Sequence, residues 1–213
     1  MSERHCGFRN WVMALMVLVV SLICAPVVLS GTILEDFRNP DEDGFPREWE
    51  GSRSTVTAKE AYAVHREGDT MFLRGTRANQ RVYTRHIEWN PKTHPVLRWR
   101  WRLQSVPENA DFLVALFANL DTDLLFIPVS TKYVWSDLKH KGSVTDGGLF
   151  GAAEIVVRSG RQPLGVWVEE EVNAYKDFQK IHRHDPASRA WGISLQSGPG
   201  VEVDFGTIEV SAE

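Results

Sequence analysis

Apolar and polar side chains alternate strictly along residues 97–103, which read Leu-Arg-Trp-Arg-Trp-Arg-Leu. A period of two places the leucines and tryptophans on one face of a strand and Arg98, Arg100 and Arg102 on the other. A strand of this kind is buried on one side, as in many antiparallel sheets. The segment therefore predicts a sheet with an aromatic core face and a cationic opposite face.

Short β-rich runs follow one another along the rest of the chain, separated by Gly, Pro, Asn and Asp. This spacing predicts an all-β fold, a β-sandwich of the jelly-roll type. One run, residues 173–182, has apolar side chains at helical spacing behind a capping Asn173, and it predicts one accessory helix. The predicted strands are 32–37, 55–65, 70–74, 81–89, 96–103, 112–118, 125–135, 152–158, 165–171, 190–196 and 201–210.

The N-terminal segment differs from everything after it. Arg4 and Arg9 precede an apolar run over residues 11–29, a pattern typical of a secretory signal peptide. The alternative is an uncleaved anchor, because the run approaches the roughly 20 residues that span a bilayer. Only in that case do we expect the protein to be attached to a membrane.

Small residues before Gly31 predict cleavage between Ser30 and Gly31. We therefore expect a signal peptide over residues 1–30, a single sandwich domain over residues 31–213, and export to the periplasm or the cell surface. Both cysteines, Cys6 and Cys24, lie in the segment that would be removed.

Composition and charge exclude some classes of function. With 43% hydrophobic and 24% charged residues the chain is typical of globular proteins. The formal net charge is −4, which disfavours nucleic acid as a partner.

Several local patterns resemble those of domain of unknown function family 3047. The resemblance implies an exported bacterial protein whose β-sandwich is related in outline to carbohydrate-binding modules, and it implies no assigned activity. Relatives carry an Asp-rich turn near the C-terminus, whereas this chain reads Gln-Ser-Gly-Pro-Gly over residues 196–200. The patterns are Trp-Arg-Trp at 99–101, Asp-Phe at 111–112, Tyr-Val-Trp-Ser at 133–136, Val-Val-Arg-Ser-Gly at 156–160, Gly-x-Trp at 165–167 and Tyr-Lys-Asp-Phe at 175–178.

The arginine face has two interpretations. Arg98, Arg100 and Arg102 form a cationic track that would bind uronates, sulfated sugars or another polyanion through forked hydrogen bonds. Alternatively, the arginines pair across strands with carboxylates, which are present at alternate positions in two other strands. The candidate partners, Glu169, Glu171, Glu202 and Asp204, favour this cross-strand ladder.

A second candidate binding region follows the strand that ends at Trp135. Asp137 and His140 lie in the long Gly-rich loop after it, and long loops at the ends of sandwiches commonly carry binding sites. Because an indole stacks on sugar rings, we expect Trp135, Asp137 and His140 to contribute to ligand binding.

Carboxylates and histidines offer catalytic and metal-binding alternatives. Glu202 and Asp204 lie on one strand face, as the acid and base of a glycosidase would. Jelly rolls can hold Ca²⁺ between their first and last strands, where Glu35, Asp36 and Asp204 supply oxygen ligands. The alternating His182 and His184 suit zinc or copper, but without converging ligands they are typical of a solvated helix end.

We therefore expect a non-catalytic binding domain for a saccharide or an anionic envelope component, without a cofactor apart from the calcium considered above. Two alternatives remain. One is a glycoside hydrolase or lyase that uses Glu202 and Asp204, or residues around Asp137 and His140. The other is a structural partner in an envelope complex, which predicts a contiguous exposed apolar patch.

Overall fold

A computed structural model of the chain describes residues 31–76, 80–108, 110, 112–123, 127–147 and 151–212. The predicted signal peptide, residues 1–30, lies outside these ranges. Among the helices of the described ranges, none has the length and apolar character needed to cross a membrane.

Strands account for most of the regular structure in these ranges. In chain order the elements are β1 (Thr32–Glu35), β2 (Glu50–Gly51), α1 (Thr55–Lys59), β3 (Tyr62–Glu67), β4 (Thr70–Thr76), β5 (Val82–Thr84), β6 (Val96–Ser105), β7 (Phe112–Thr122), β8 (Pro128–Ser136), β9 (Val144–Thr145), β10 (Ala153–Ser159), β11 (Val168–Asn173), α2 (Ala174–His182), β12 (Gly192–Ser197) and β13 (Glu202–Ser211).

The strands form two sheets, so the predicted all-β sandwich is confirmed. The first sheet has the order β11-β6-β13-β4-β3, with β1 also paired to β13. The second has the order β2-β5-β12-β7-β8-β10-β9. The pairs are antiparallel except β8 with β10, which is parallel. A parallel pair needs a crossover connection, and the segment between β8 and β10, which includes β9, supplies it.

An aromatic core joins the two sheets. As the alternation predicts, Trp99 and Trp101 of β6 are buried. They meet Tyr133 and Trp135 of β8 across the interface, with ring centroids 5.5 Å apart for Trp99 and Tyr133 and 6.1 Å for Trp101 and Trp135. Aromatic pairs of this kind contribute about 0.5–1.5 kcal/mol each beyond the area they bury. On the outer face of the second sheet, a smaller apolar cluster of Ala115, Phe117 and Val134 lies apart from this core.

The last strand, β13, has an irregular middle. On β6 the single residue Arg100 lies between the partners of Phe205 and Ile208, so Gly206 and Thr207 together oppose one residue. This is a β-bulge, which bends the strand and leaves one residue unpaired. On its other side β13 pairs with β4 up to Phe205 and with β1 from Ile208 onward. The sheet therefore has a gap beside the bulge.

The described residues contain two helices, whereas the sequence predicts one. The helix predicted over residues 173–182 is confirmed as α2, and the Asn173 side chain accepts a hydrogen bond from the amide of Lys176 at 2.8 Å. The second helix, α1, lies where the prediction has a strand, because Ser54 caps it through the amide of Thr57 and Ala58 packs into the core. Local capping and one buried contact prevail over the β-branched composition of this segment.

Candidate functional site

The arginines of β6 lie on the outer face of the first sheet, and two of them form the predicted ladder. The Arg98 Nε lies 2.5 Å from the carboxylate of Glu171, its register partner on β11. The Arg102 guanidinium lies 2.8 Å from Asp204 and 2.9 Å from Glu67. Arg100, between them, forms no ion pair or hydrogen bond within the described residues. The ladder is therefore confirmed for Arg98 and Arg102, and the continuous free track is not present.

Asp204 is the centre of this ladder. Its carboxylate has no exposed surface and accepts hydrogen bonds from Arg74, Arg102 and Gln104. Glu202 lies at 3.5 Å from the same Arg74. Because the Asp204 carboxylate has no exposed surface, it cannot contact a substrate. Glu202 and Asp204 both contribute to ion pairs of the sheet.

The residues considered for calcium are engaged separately. The Glu35 carboxylate accepts hydrogen bonds from the Trp49 indole and from the amides of Asp36 and Phe37, and burial raises its pKa. The Asp36 carboxylate lies 3.4 Å from Arg38. Within the described ranges, no group of three or more His, Cys, Asp or Glu side chains is placed to hold a metal ion.

The region around Trp135 differs from the expected binding loop. Trp135 is fully buried, its indole donates to the carbonyl of Gly160, and the Arg158 guanidinium lies 5.3 Å from its ring. Asp137 lies 3.7 Å from Arg161, and His140 is exposed. The structure therefore places Trp135 in the core and does not bring it together with Asp137 and His140 on an open surface.

The two histidines at the end of α2 lie near each other, with ring centroids 6.3 Å apart. Burial lowers the pKa of His182, which stacks on the core residue Phe178. His184 is exposed and lies 3.8 Å from Asp121. The pair belongs to the packing of the helix end.

A different site lies on the outer face of the second sheet, where sequence reasoning placed none. The indole of Trp191 lies beside the ring of Tyr83 on β5, with centroids 5.7 Å apart and planes inclined by 30°. The guanidinium of Arg85 lies 5.5 Å from the Trp191 ring centroid. Both aromatic rings are partly exposed, which leaves apolar ring surface open to solvent.

A groove of about 360 Å³ opens next to these rings, and we call it the aromatic groove. Such a volume lies at the lower end of the range for small-molecule sites. Arg85 has no ion-pair or hydrogen-bond partner among the described residues, and its donors are therefore open to a ligand. The groove is lined by Arg85, Asp121, Thr122, Ala187, Arg189, Ala190 and Trp191.

Hydrogen bonds hold the walls of the aromatic groove. The Tyr83 hydroxyl donates to Glu50 at 2.6 Å, which fixes the orientation of the ring, and this bond raises the pKa of Tyr83 above its ordinary value. The Arg189 guanidinium donates to Glu88 at 2.9 Å. The Asp121 side chain is about a quarter exposed (25%), and it supplies an acceptor in the groove.

The sequence carries a signal for this site. Residues 81–85 read Arg-Val-Tyr-Thr-Arg, the same alternation of period two as in β6, with Val82 and Thr84 buried. The alternation predicts one outward face for Arg81, Tyr83 and Arg85. The position of Trp191 carries no such signal, because the residue lies at the start of the predicted strand 190–196, whose residues are mostly apolar. Only the packing of the chain before β12 brings its ring beside Tyr83.

Comparison with known proteins supports the family resemblance. The model of a family described as a protein of unknown function, DUF3047, matches residues 127–197, so the predicted resemblance is confirmed over that segment. Among curated protein sequences none matches this chain.

Solved structures of similar outline have very low sequence identity. The K1 adhesin domain of Lys-gingipain from Porphyromonas gingivalis W83 is 11% identical, with a TM-score of 0.43, over 84% of this chain and 96% of that one. The CBM22-1 xylan-binding domain of Xyn10C from Paenibacillus barcinonensis is 11% identical, with a TM-score of 0.40, over 86% and 97%. Endoglucanase 3 from Trichoderma harzianum is 10% identical, with a TM-score of 0.44, over 89% and 100%.

Proposed function

We propose that the protein is an exported, non-catalytic saccharide-binding protein and that the ligand binds in the aromatic groove. The observation that carries this assignment is the pair of partly exposed rings, Tyr83 and Trp191, beside the Arg85 guanidinium, which has no ion-pair or hydrogen-bond partner in the described residues. Partly exposed aromatic surface next to a few convergent polar groups is the usual composition of a small-molecule site.

The chemistry of the groove suits a sugar ring. The C–H face of a pyranose is apolar and packs on an indole, which gains both area burial and contact with the π system. The hydroxyl groups at the ring edge need donors and acceptors. Arg85 and Arg189 supply donors, and Asp121 supplies an acceptor. A ligand held in this way is oriented by stacking and selected by its hydroxyl pattern.

A binding role also fits the first sheet better than hydrolysis does. A glycosidase needs an accessible acid and an accessible base on either side of the scissile bond. Glu202 and Asp204 are instead neutralised by Arg74 and Arg102 in a cross-strand ladder. An envelope scaffold would need a contiguous apolar surface. Within the described residues, the large apolar side chains that are exposed come from several distant segments, among them those of Ile33, Val56 and Leu138.

A glycan array probed with the purified protein tests this function. We expect binding to a small set of glycans, followed by calorimetry on the best of them. Trp191→Ala removes the stacking surface and should weaken affinity at least tenfold, because truncation of a central aromatic side chain costs about 2 kcal/mol or more. Arg85→Ala should weaken it about tenfold, because a charge-assisted hydrogen bond contributes about 1.5–3 kcal/mol.

Trp167→Ala is the matched control. Trp167 is also a partly exposed tryptophan, but it lies on the outer face of the first sheet beside Arg100 and Arg102. Its removal should leave the affinity for neutral glycans unchanged. If no glycan binds, or if Trp191→Ala binds as well as the wild type does, the assignment fails.

A further inference from the structure

The unpaired cation in the first sheet marks a second site, independent of the aromatic groove. We propose that Arg100 and the gap beside the β13 bulge bind the carboxylate group of a small organic acid, such as an acidic sugar. The gap is the space on the outer face between the end of β1 and the start of β4. It is lined by Ile33, Asp36, Arg38, Thr70, Met71, Arg100 and Thr207.

The bulge explains why Arg100 lacks a partner. Regular pairing gives Arg98 and Arg102 acidic register partners on β13, namely Glu209 and Asp204. Opposite Arg100, the bulge places Gly206 and Thr207 where an acidic partner would otherwise lie, and neither residue carries a charge. Glu169 is its register partner on β11, but it forms no ion pair with Arg100. Within the described residues Arg100 therefore forms no ion pair, although the carboxylates of Glu169 and Glu209 line a neighbouring pocket with it.

Gly206 determines where the Arg100 side chain lies. A Cβ atom at this position would lie 2.5 Å from Cγ and 2.6 Å from Nε of Arg100, so the arginine stem lies directly across the glycine backbone. The guanidinium then reaches the gap, with the Trp167 ring centroid 4.9 Å from its central carbon. Because Gly206 has no side chain, the Arg100 side chain can lie across the bulge.

The Arg100 Nε atom is buried and has no hydrogen-bond partner within the described residues. A buried donor without a partner costs about 1–3 kcal/mol, and a ligand acceptor would recover that energy. The planar guanidinium fork matches the two oxygens of a carboxylate. This combination favours a carboxylate over a neutral hydroxyl.

The other groups of the gap are compatible with such a ligand. Thr70 and Thr207 supply hydroxyl donors, and Met71 supplies apolar contact. Asp36, the acidic group in the gap, lies 3.4 Å from Arg38 and is neutralised by it. Arg100 is then the cation that remains for a ligand.

The size of the gap limits what enters it. Its volume is about 90 Å³, space for about three water molecules at their share of liquid volume. A carboxylate fits, whereas a whole sugar ring does not. The body of the ligand must therefore lie above the sheet, with only its acidic group inserted.

Titration of the isotope-labelled purified protein with D-glucuronate, D-glucose and acetate tests this site, with the amide signals of Gly206 and Thr207 as the readout. We expect glucuronate and acetate to shift both signals, and we expect glucose to bind at least tenfold more weakly than glucuronate. Equal affinity for glucose and glucuronate, or no response to acetate, would overturn the assignment. Inorganic phosphate is a further probe: if it binds as tightly as glucuronate, the site is not selective for carboxylates and the assignment also fails.

Variants locate the site on the surface. Arg100→Gln should reduce glucuronate affinity at least tenfold, since it removes a charge-assisted contact. Arg66→Gln is the matched control, because Arg66 is an exposed arginine on β3 that lies 3.6 Å from Asp69. This substitution should leave glucuronate affinity unchanged. Thr207→Val is nearly isosteric and should also weaken binding, which keeps the test valid if Arg100→Gln folds poorly. Trp191→Ala should leave glucuronate binding intact, so failure of the aromatic groove and failure of this site are distinguishable.

Discussion

The Asp204 carboxylate lies 2.8 Å from the Arg102 guanidinium and 2.6 Å from the Arg74 Nε, with no part of the carboxylate exposed to solvent. The three side chains come from β13, β6 and β4, which are consecutive strands of the first sheet. This contact therefore links three strands, and it neutralises two arginines of the outer face.

We predict that Asp204→Asn strongly destabilises the protein. Removal of the carboxylate charge leaves the guanidinium groups of Arg74 and Arg102 close together without the anion between them. The Arg102 side chain is only 9% exposed, so water does little to compensate. Breaking a buried ion pair on one side costs about 3–5 kcal/mol. Urea denaturation at neutral pH measures this loss. Glu202→Gln is the matched control, because its ion pair at 3.5 Å is partly exposed (34%) and should contribute less than about 1 kcal/mol.

A second prediction concerns Asp177 in the first turn of α2. Burial raises the pKa of Asp177 above its ordinary value of 3.8, although the Tyr133 hydroxyl donates to it at 3.2 Å. The folded state therefore holds the proton more tightly than the unfolded state does, and it loses stability as the pH rises through the folded pKa. The Asp177→Asn variant has no carboxyl group at this position, so its stability does not fall with pH for this reason. We expect the stability of the variant relative to the wild type to increase between pH values of about 4 and 7.

Urea denaturation at several pH values measures the free energy of unfolding of Asp177→Asn relative to the wild type. Asp185→Asn is a control for which the expected pH dependence has the opposite sign. A hydrogen bond from Gln179 lowers the pKa of the exposed Asp185, so its contribution is present above the ordinary pKa and is lost as the pH falls. A relative stability of Asp177→Asn that does not vary with pH would contradict the prediction.

Calcium should not stabilise the protein. Glu35 is engaged by Trp49, Asp36 by Arg38, and Asp204 by three donors, so no oxygen cage forms from these residues. An ion that binds only the folded state would raise the thermal midpoint. We expect the midpoint to stay constant when millimolar Ca²⁺ or a chelator is added. A rise with Ca²⁺ that the chelator reverses would restore the calcium hypothesis.

Processing at the N-terminus can be measured directly. We expect protein recovered from the periplasm or the culture medium to begin at Gly31, because Val28 and Ser30 provide the small residues that cleavage requires. Intact-mass measurement or N-terminal sequencing decides this. Ser30→Arg should block cleavage and leave the longer chain in the membrane fraction. A full-length wild-type chain in that fraction would support the anchor alternative.

Individual residues illustrate which structural features were predictable. The buried face of β6 followed from its alternation, because side chains on successive positions of a strand must point to opposite faces. The cap at Asn173 predicted where α2 begins. By contrast, α1 was missed. Its residues favour a strand, and the helix is stabilised by the Ser54 cap, by the packing of Ala58 and by a hydrogen bond from the distant Gln80 to Thr57.

The candidate sites were less predictable than the fold. Trp135 ends a strand beside a long loop, but the Arg158 side chain and the opposite sheet enclose its ring. Trp191 lies at the start of the mostly apolar predicted strand 190–196, but its ring is partly exposed beside Tyr83. Exposure of an aromatic ring depends on what packs over it, and segments distant along the chain supply that cover.

From the sequence alone, the local periodicities determined the sandwich architecture, the buried face of β6 and the position of α2, because each depends on the geometry of one continuous segment. Only the tertiary structure decided which arginines are neutralised and which rings are open. Ion pairing and exposure depend on register between strands, and one bulge at Gly206 and Thr207 suffices to separate Arg100 from the ladder that neutralises Arg98 and Arg102.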